Sequence, residues 1–136
     1  MKPIISVDFD GVLHSYSSGW QGMASIPDRP VPGAMQWLAD LYESDRVRVA
    51  IFSSRSKTLQ GRWAMRSWLR HYLIVEFGYM AGPRFMDPLY LEILEWVKWP
   101  WFKPAALITL DDRAMTFTGV FPSLDQMLAF KPWNKP

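Results

Sequence analysis

Three short apolar runs, each stopped by polar residues, constrain this chain more than anything else in it. Ile4-Ile5-Ser6-Val7 leads into Asp8-Phe9-Asp10-Gly11. Arg46 to Phe52 (RVRVAIF) leads into Ser53-Ser54-Arg55-Ser56, and Ala105 to Leu110 (AALITL) into Asp111-Asp112-Arg113. Short runs of this kind read as buried strands of a parallel sheet. Apolar residues at helical spacing follow the first two. Ala34 to Glu43 carries Met35, Leu38, Ala39 and Tyr42, and Thr58 to Leu73 carries Leu59, Trp63, Trp68, Leu69 and Tyr72. Strands alternating with helices predict an α/β fold, a doubly wound parallel sheet with right-handed crossovers. Such sheets bind ligands at the carboxyl ends of their strands. The three polar clusters are therefore expected on one rim.

The remaining segments are less regular. His14 to Pro32 (HSYSSGWQGMASIPDRPVP) is rich in Ser, Gly and Pro and reads as a flap, a loop of a length that is often functional. Residues 74–86 favour loop through Gly78, Gly82 and Pro83. A helical turn over Pro88 to Glu92, short strands over Leu94 to Val97 and Phe117 to Phe121, and a helix over Ser123 to Phe130 complete the expected order. The length of 136 residues suits one domain, 1–136, with a real core. The lack of cysteine excludes disulfides, thiolate metal sites and a cysteine nucleophile. No apolar stretch approaches the ~18 residues of a membrane span. The N-terminal strand, interrupted by Asp8, does not read as a signal peptide. A soluble cytoplasmic protein without a membrane partner is expected. The net charge of +2 does not itself argue for nucleic acid, and most of the eight tryptophans are expected in the core.

Asp8 and Asp10 are the sharpest chemical signal. Residues two apart on an extended chain point to the same side, so the two carboxylates converge while Phe9 turns away. Gly11 lets the backbone turn or another group approach closely. Two charged carboxylates ~4 Å apart repel by about 4 kcal/mol at an effective dielectric near 20. A cation, a shared proton or full solvation must offset that, and a solvated Asp-rich turn is the plain alternative. With Asp111 and Asp112 on the same rim, the four carboxylates suit a hard cation with oxygen ligands, and Mg²⁺ fits best. Such a site organises a phosphate. One aspartate can attack phosphorus and form an aspartyl-phosphate, while the other serves as acid and base, worth about 10²–10⁴ in rate. Ser53 and a lysine can hold the other phosphoryl oxygens.

The ordered set DFDG, strand-FSSR, Lys-Pro and strand-LDDR resembles the haloacid dehalogenase superfamily of phosphotransferases over essentially the whole core, from Ile4 to about Gly119. The first and last motifs are specific; the middle two are weak alone. The resemblance implies that Asp8 is the nucleophile and Asp10 the acid/base, and an aspartate at the second position favours phosphate esters over halides. It implies that Ser53 binds the phosphoryl group. It assigns Mg²⁺ to Asp8, the backbone carbonyl of Asp10, Asp111 and Asp112. Ser53-Ser54-Arg55 resembles the Ser-x-Arg of polynucleotide phosphatase domains, and the strand-DDR ending resembles both those domains and deoxyribonucleotidases. Lys103, in FKPAALITLDDR, is the implied phosphate-binding lysine. It precedes a strand whose far end carries Asp111, so Lys98 is the alternative.

Substrate is less legible. Arg55, beside Ser53 at the expected mouth, can contact phosphate bidentately. Arg62, Arg66 and Arg70 share a helix face and read either as a solvated face or as a basic stripe for nucleic acid. His14 is close enough to the first motif to touch substrate but is not expected to be catalytic. Trp20, in the flap, can stack on a base or a sugar. A receiver domain uses similar groups in a different order. The flap is too short for a separate cap domain, so the site is expected to be open, which suits nucleotide or nucleic-acid phosphate ends. The alternatives are a phosphotransferase or mutase, which must exclude water, and a catalytically silent nucleic-acid-binding module. Neither substrate identity nor oligomeric state is legible.

Overall fold

The structure is a computed structural model describing residues 1–135. Strand β1 (Ile4–Val7) is central, flanked by β2 (Arg48–Ile51) and β3 (Ile108–Leu110) in the order β2-β1-β3. Both pairings are parallel, and the register is flush. Val7 faces Ile51 on one side and Leu110 on the other. Asp8, Phe52 and Asp111 therefore leave the sheet together. Hydrogen bonds continue the ladder by one step, from Asp8 N–H to the Leu110 carbonyl and from Phe52 N–H to the Val7 carbonyl.

Helix α1 (Ala34–Ser44) follows the flap and α2 (Leu59–Phe77) follows β2, while α3 (Leu89–Trp96) and α4 (Leu124–Leu128) come later. Ile5, Val7, Val49 and Ile51 pack with Leu38 of α1, Met65 and Leu69 of α2 and Ile93 of α3 in one apolar core. The buried Tyr42 hydroxyl donates to Glu92 Oε1 at 2.6 Å and ties α1 to α3. Burial, then this carboxylate, pushes the phenol up to about 12. The α/β class and parallel sheet match the sequence reading; the described sheet has three strands.

Several elements differ from expectation. Leu94 to Val97 is not a strand. Leu89, Tyr90, Ile93, Leu94 and Val97 are buried at helical spacing, so this stretch belongs to α3 and its C-cap. The sheet continues instead at Lys98, which bridges Ala50. Phe117 to Phe121 forms no strand, and α2 runs on to Phe77 through residues read as loop. β3 is shorter than Ala105 to Leu110 and exposed along its length rather than buried. The tryptophans are not mainly core. Trp68 is buried, but Trp20, Trp63, Trp101 and Trp133 are exposed. On α2 the buried face is Gly61, Ala64, Met65, Trp68, Leu69 and Leu73, while Leu59 and Trp63 face solvent.

Candidate metal and phosphoryl-transfer site

The flush strand ends assemble an acidic cluster. One carboxylate oxygen each from Asp8, Asp111 and Asp112 can be chosen so that all three lie within 4.8 Å of one another. Asp8 Oδ1 accepts the Phe9 N–H at 2.8 Å, and Asp111 Oδ1 accepts the Arg113 N–H at 2.8 Å. The Asp112 side chain is only 2% exposed, and its nearest cation, Arg113 Nε, stands 3.9 Å away. Its Oδ1 is buried with no hydrogen-bond partner among the described residues. Gly11, at φ 85°, makes the fit possible, because a Cβ there would sit 2.2 Å from Asp112 Oδ2. The glycine thus supplies both the turn and the close approach. Burial, then the neighbouring Asp111 and Asp112 charges, pushes the Asp8 carboxyl up to about 8 against the opposing Phe9 N–H.

A cation among these three side chains would both partner the orphaned Asp112 oxygen and favour the ionised form of Asp8. The all-oxygen donor set fits Mg²⁺. Asp8, Asp111 and Asp112, three of the residues expected to share a site, do stand together. The Asp10 side chain stands outside this cluster, and the implied role of its backbone carbonyl is not contradicted by that.

Asp10 is engaged elsewhere. Its Oδ2 accepts from Arg55 Nε at 3.0 Å and its Oδ1 lies 2.8 Å from His14 Nδ1. The Asp28 N–H donates to His14 Nε2 at 3.1 Å, which leaves Nδ1 to carry the ring proton of the neutral tautomer and donate it to Asp10. Hydrogen bonds from the Ser18 hydroxyl and N–H outweigh burial and hold Asp28 below the usual carboxylate range. His14 is fully buried, so it orients Asp10 rather than touching substrate. Its place four residues after Asp10 is the sequence signal for this contact.

The second polar cluster departs from expectation. Arg55 is not at an open mouth. It is fully buried, with Nη1 donating to the carbonyls of Gly22 and Met23 at 2.8 and 2.7 Å. It thereby fastens the flap to Asp10. The Ser53 hydroxyl accepts the Arg55 N–H at 3.0 Å and caps the 3₁₀ turn Ser54–Lys57, while Ser54 is exposed. Neither lysine is brought to the acids. Lys103 is exposed and precedes Leu107, whose N–H donates to the Ile4 carbonyl at the opposite end of the sheet. Lys98 lines a cavity with Met1, Lys2, Ile4 and Arg48 at that same end. On α2, Arg62 stacks over Trp101 at 4.0 Å and Arg70 lies over Tyr90 at 5.4 Å, while Arg66 of the basic stripe has no aromatic partner among the described residues.

No protein-family model, curated protein or solved structure matches this chain. A cavity of about 580 Å³ lies between the flap base and α2, lined by Arg29, Pro30, Tyr72, Val75 and Glu76 among others, and Asp8, Asp10, Asp111 and Asp112 do not border it. Among the described residues no helix is long and apolar enough to cross a membrane.

Proposed function

We propose that this chain is a Mg²⁺-dependent phosphomonoester hydrolase on a minimally capped, haloacid dehalogenase-like doubly wound core, acting on nucleotide or nucleic-acid phosphate ends. The supporting observation is the convergence of Asp8 with Asp111 and Asp112, more than a hundred residues on, around a buried carboxylate oxygen that lacks a partner. Asp8, Asp111, Asp112 and the Asp10 carbonyl would hold the ion. Bound there, it supplies positive charge that neutralises the carboxylates and the phosphoryl oxygens.

In this reading an Asp8 oxygen attacks phosphorus, and the bond from phosphorus to the ester oxygen breaks. Asp10 gives a proton to the departing alkoxide, leaving an aspartyl-phosphate. Asp10 then takes a proton from water as that water attacks phosphorus, releasing phosphate and restoring Asp8. Both Asp10 oxygens face the donors Arg55 Nε and His14, which supports a role for Asp10 as acceptor in the second step. The acid step requires Asp10 to loosen from Arg55, and Arg55 carries the flap.

The test is phosphate release from a chromogenic aryl phosphate with Mg²⁺, for the native chain and for Asp8→Asn. Release that depends on both Mg²⁺ and Asp8 supports the reading. Equal release from the two proteins removes Asp8 as nucleophile.

A further inference from the structure

Two exposed tryptophans are held at the first acidic motif, Trp20 over the Arg55 guanidinium that pairs with Asp10 and Trp133 by a hydrogen bond to the Gly11 carbonyl. Trp20 is 50% exposed, and its ring centroid lies 4.6 Å from the Cζ of Arg55. Arg55 is itself immobilised by Asp10 and by two flap carbonyls. One face of the indole is thus held on a buried cation. Trp133, 64% exposed, comes from the other end of the chain. Its Nε1 donates to the Gly11 carbonyl at 2.8 Å, and the neighbouring Asn134 Nδ2 donates to the Ser15 carbonyl at 3.3 Å. Gly11 follows Asp10 in the chain and lies against Asp112. Core packing does not account for either ring. Both keep large apolar surfaces in water while their polar contacts fix where they stand.

We propose that Trp20 and Trp133 form an aromatic rim that stacks on a flat ring in the leaving group, so that the preferred substrates are phosphomonoesters of the nucleoside type rather than aliphatic phosphates. This rests on the phosphatase reading above. Stacking is indifferent to which base is presented, because every base has a π face, and aromatic–base stacking is lost on truncation to alanine. The rim discriminates ring-bearing from ring-less esters and does not read sequence. The C-terminal segment, through Trp133, thereby takes part in substrate choice although it carries none of the acidic groups.

The test compares kcat/KM for a nucleoside monophosphate and for glycerol phosphate, with Mg²⁺, in the native chain and in Trp20→Ala, Trp133→Ala and Trp133→Phe. Circular dichroism checks that each variant folds. The native chain is expected to favour the nucleotide, each alanine variant to shrink the ratio by roughly 5- to 100-fold, and phenylalanine at 133 to recover most of it. A native ratio near one, or a ratio unmoved by both alanine variants, overturns the rim and leaves the phosphatase standing. Release from neither ester by the native chain overturns the phosphatase. The rim is then read by equilibrium binding of the same two ligands to the same proteins, and equal affinity for both overturns it as well.

Discussion

At the scale of single residues, Asp8 carries an energetic conflict that sets a pH dependence. Burial, then Asp111 and Asp112, raises its carboxyl from the ordinary 3.8 to about 8. Between those values the folded chain holds a proton that the unfolded chain has released, so raising pH favours unfolding. The stability gained by keeping Asp8 neutral is complete below 3.8 and is lost as pH rises through 8. Thermal melts in EDTA are therefore expected to fall across that window, and added Mg²⁺ to restore the loss at pH 8. Asp8→Asn should flatten the metal-free dependence while lowering phosphate release by on the order of 10³-fold or more. Gly11→Ala tests the cradle. Its Cβ would meet Asp112 Oδ2 at 2.2 Å and its φ is 85°, so it should cost more than about 1 kcal/mol in denaturant melts and weaken Mg²⁺ binding in calorimetry.

At the scale of elements, the flap and the turn after β2 act as one unit through Arg55. Arg55→Ala leaves Asp10 without its cation in a site where the Asp10 side chain is 13% exposed, and it frees the Gly22 and Met23 carbonyls. A loss of about 3–5 kcal/mol is expected from denaturant titration, together with faster proteolysis within residues 17–25. None of this was legible from Ser53-Ser54-Arg55, because the partners of Arg55 sit more than thirty residues earlier in a loop without periodicity. The α2 face is legible only in part for a related reason: Trp68 and Leu69 are buried as expected, but Leu59 and Trp63 are exposed. Large apolar residues were weighed, whereas the packed face starts with Gly61 and Ala64. A Cβ at Gly61 would lie 2.2 Å from the Arg55 carbonyl, so a small residue there admits the turn that carries Arg55. The strand ends were legible because an apolar run followed by acid says where burial stops. Leu94 to Val97 was not, because four apolar residues fit either period until Leu89, Tyr90 and Ile93 are counted with them.

At the scale of the whole molecule, the acidic site joins two segments of unequal standing. β1 lies in the middle of the sheet with Ile5, Ser6 and Val7 buried, whereas β3 is hydrogen-bonded on one side and exposed at all three residues. An ion held by Asp8, Asp111 and Asp112 would bridge them. Mg²⁺ at a hundred times its Kd should then add about 2.7 kcal/mol in urea unfolding, and Asp112→Asn should abolish that gain. Amide exchange at Ile108, Thr109 and Leu110 should slow when Mg²⁺ is added, more than at Val49 to Ile51.

The one-sided attachment of β3 also separates two events that usually coincide. The edge can peel away while the helices and the other strands remain packed, since its side chains contribute nothing to the core. Under the proposed phosphatase reading, phosphate release would then stop in a protein that still looks folded by circular dichroism, with Asp8 in place and its acidic partners gone.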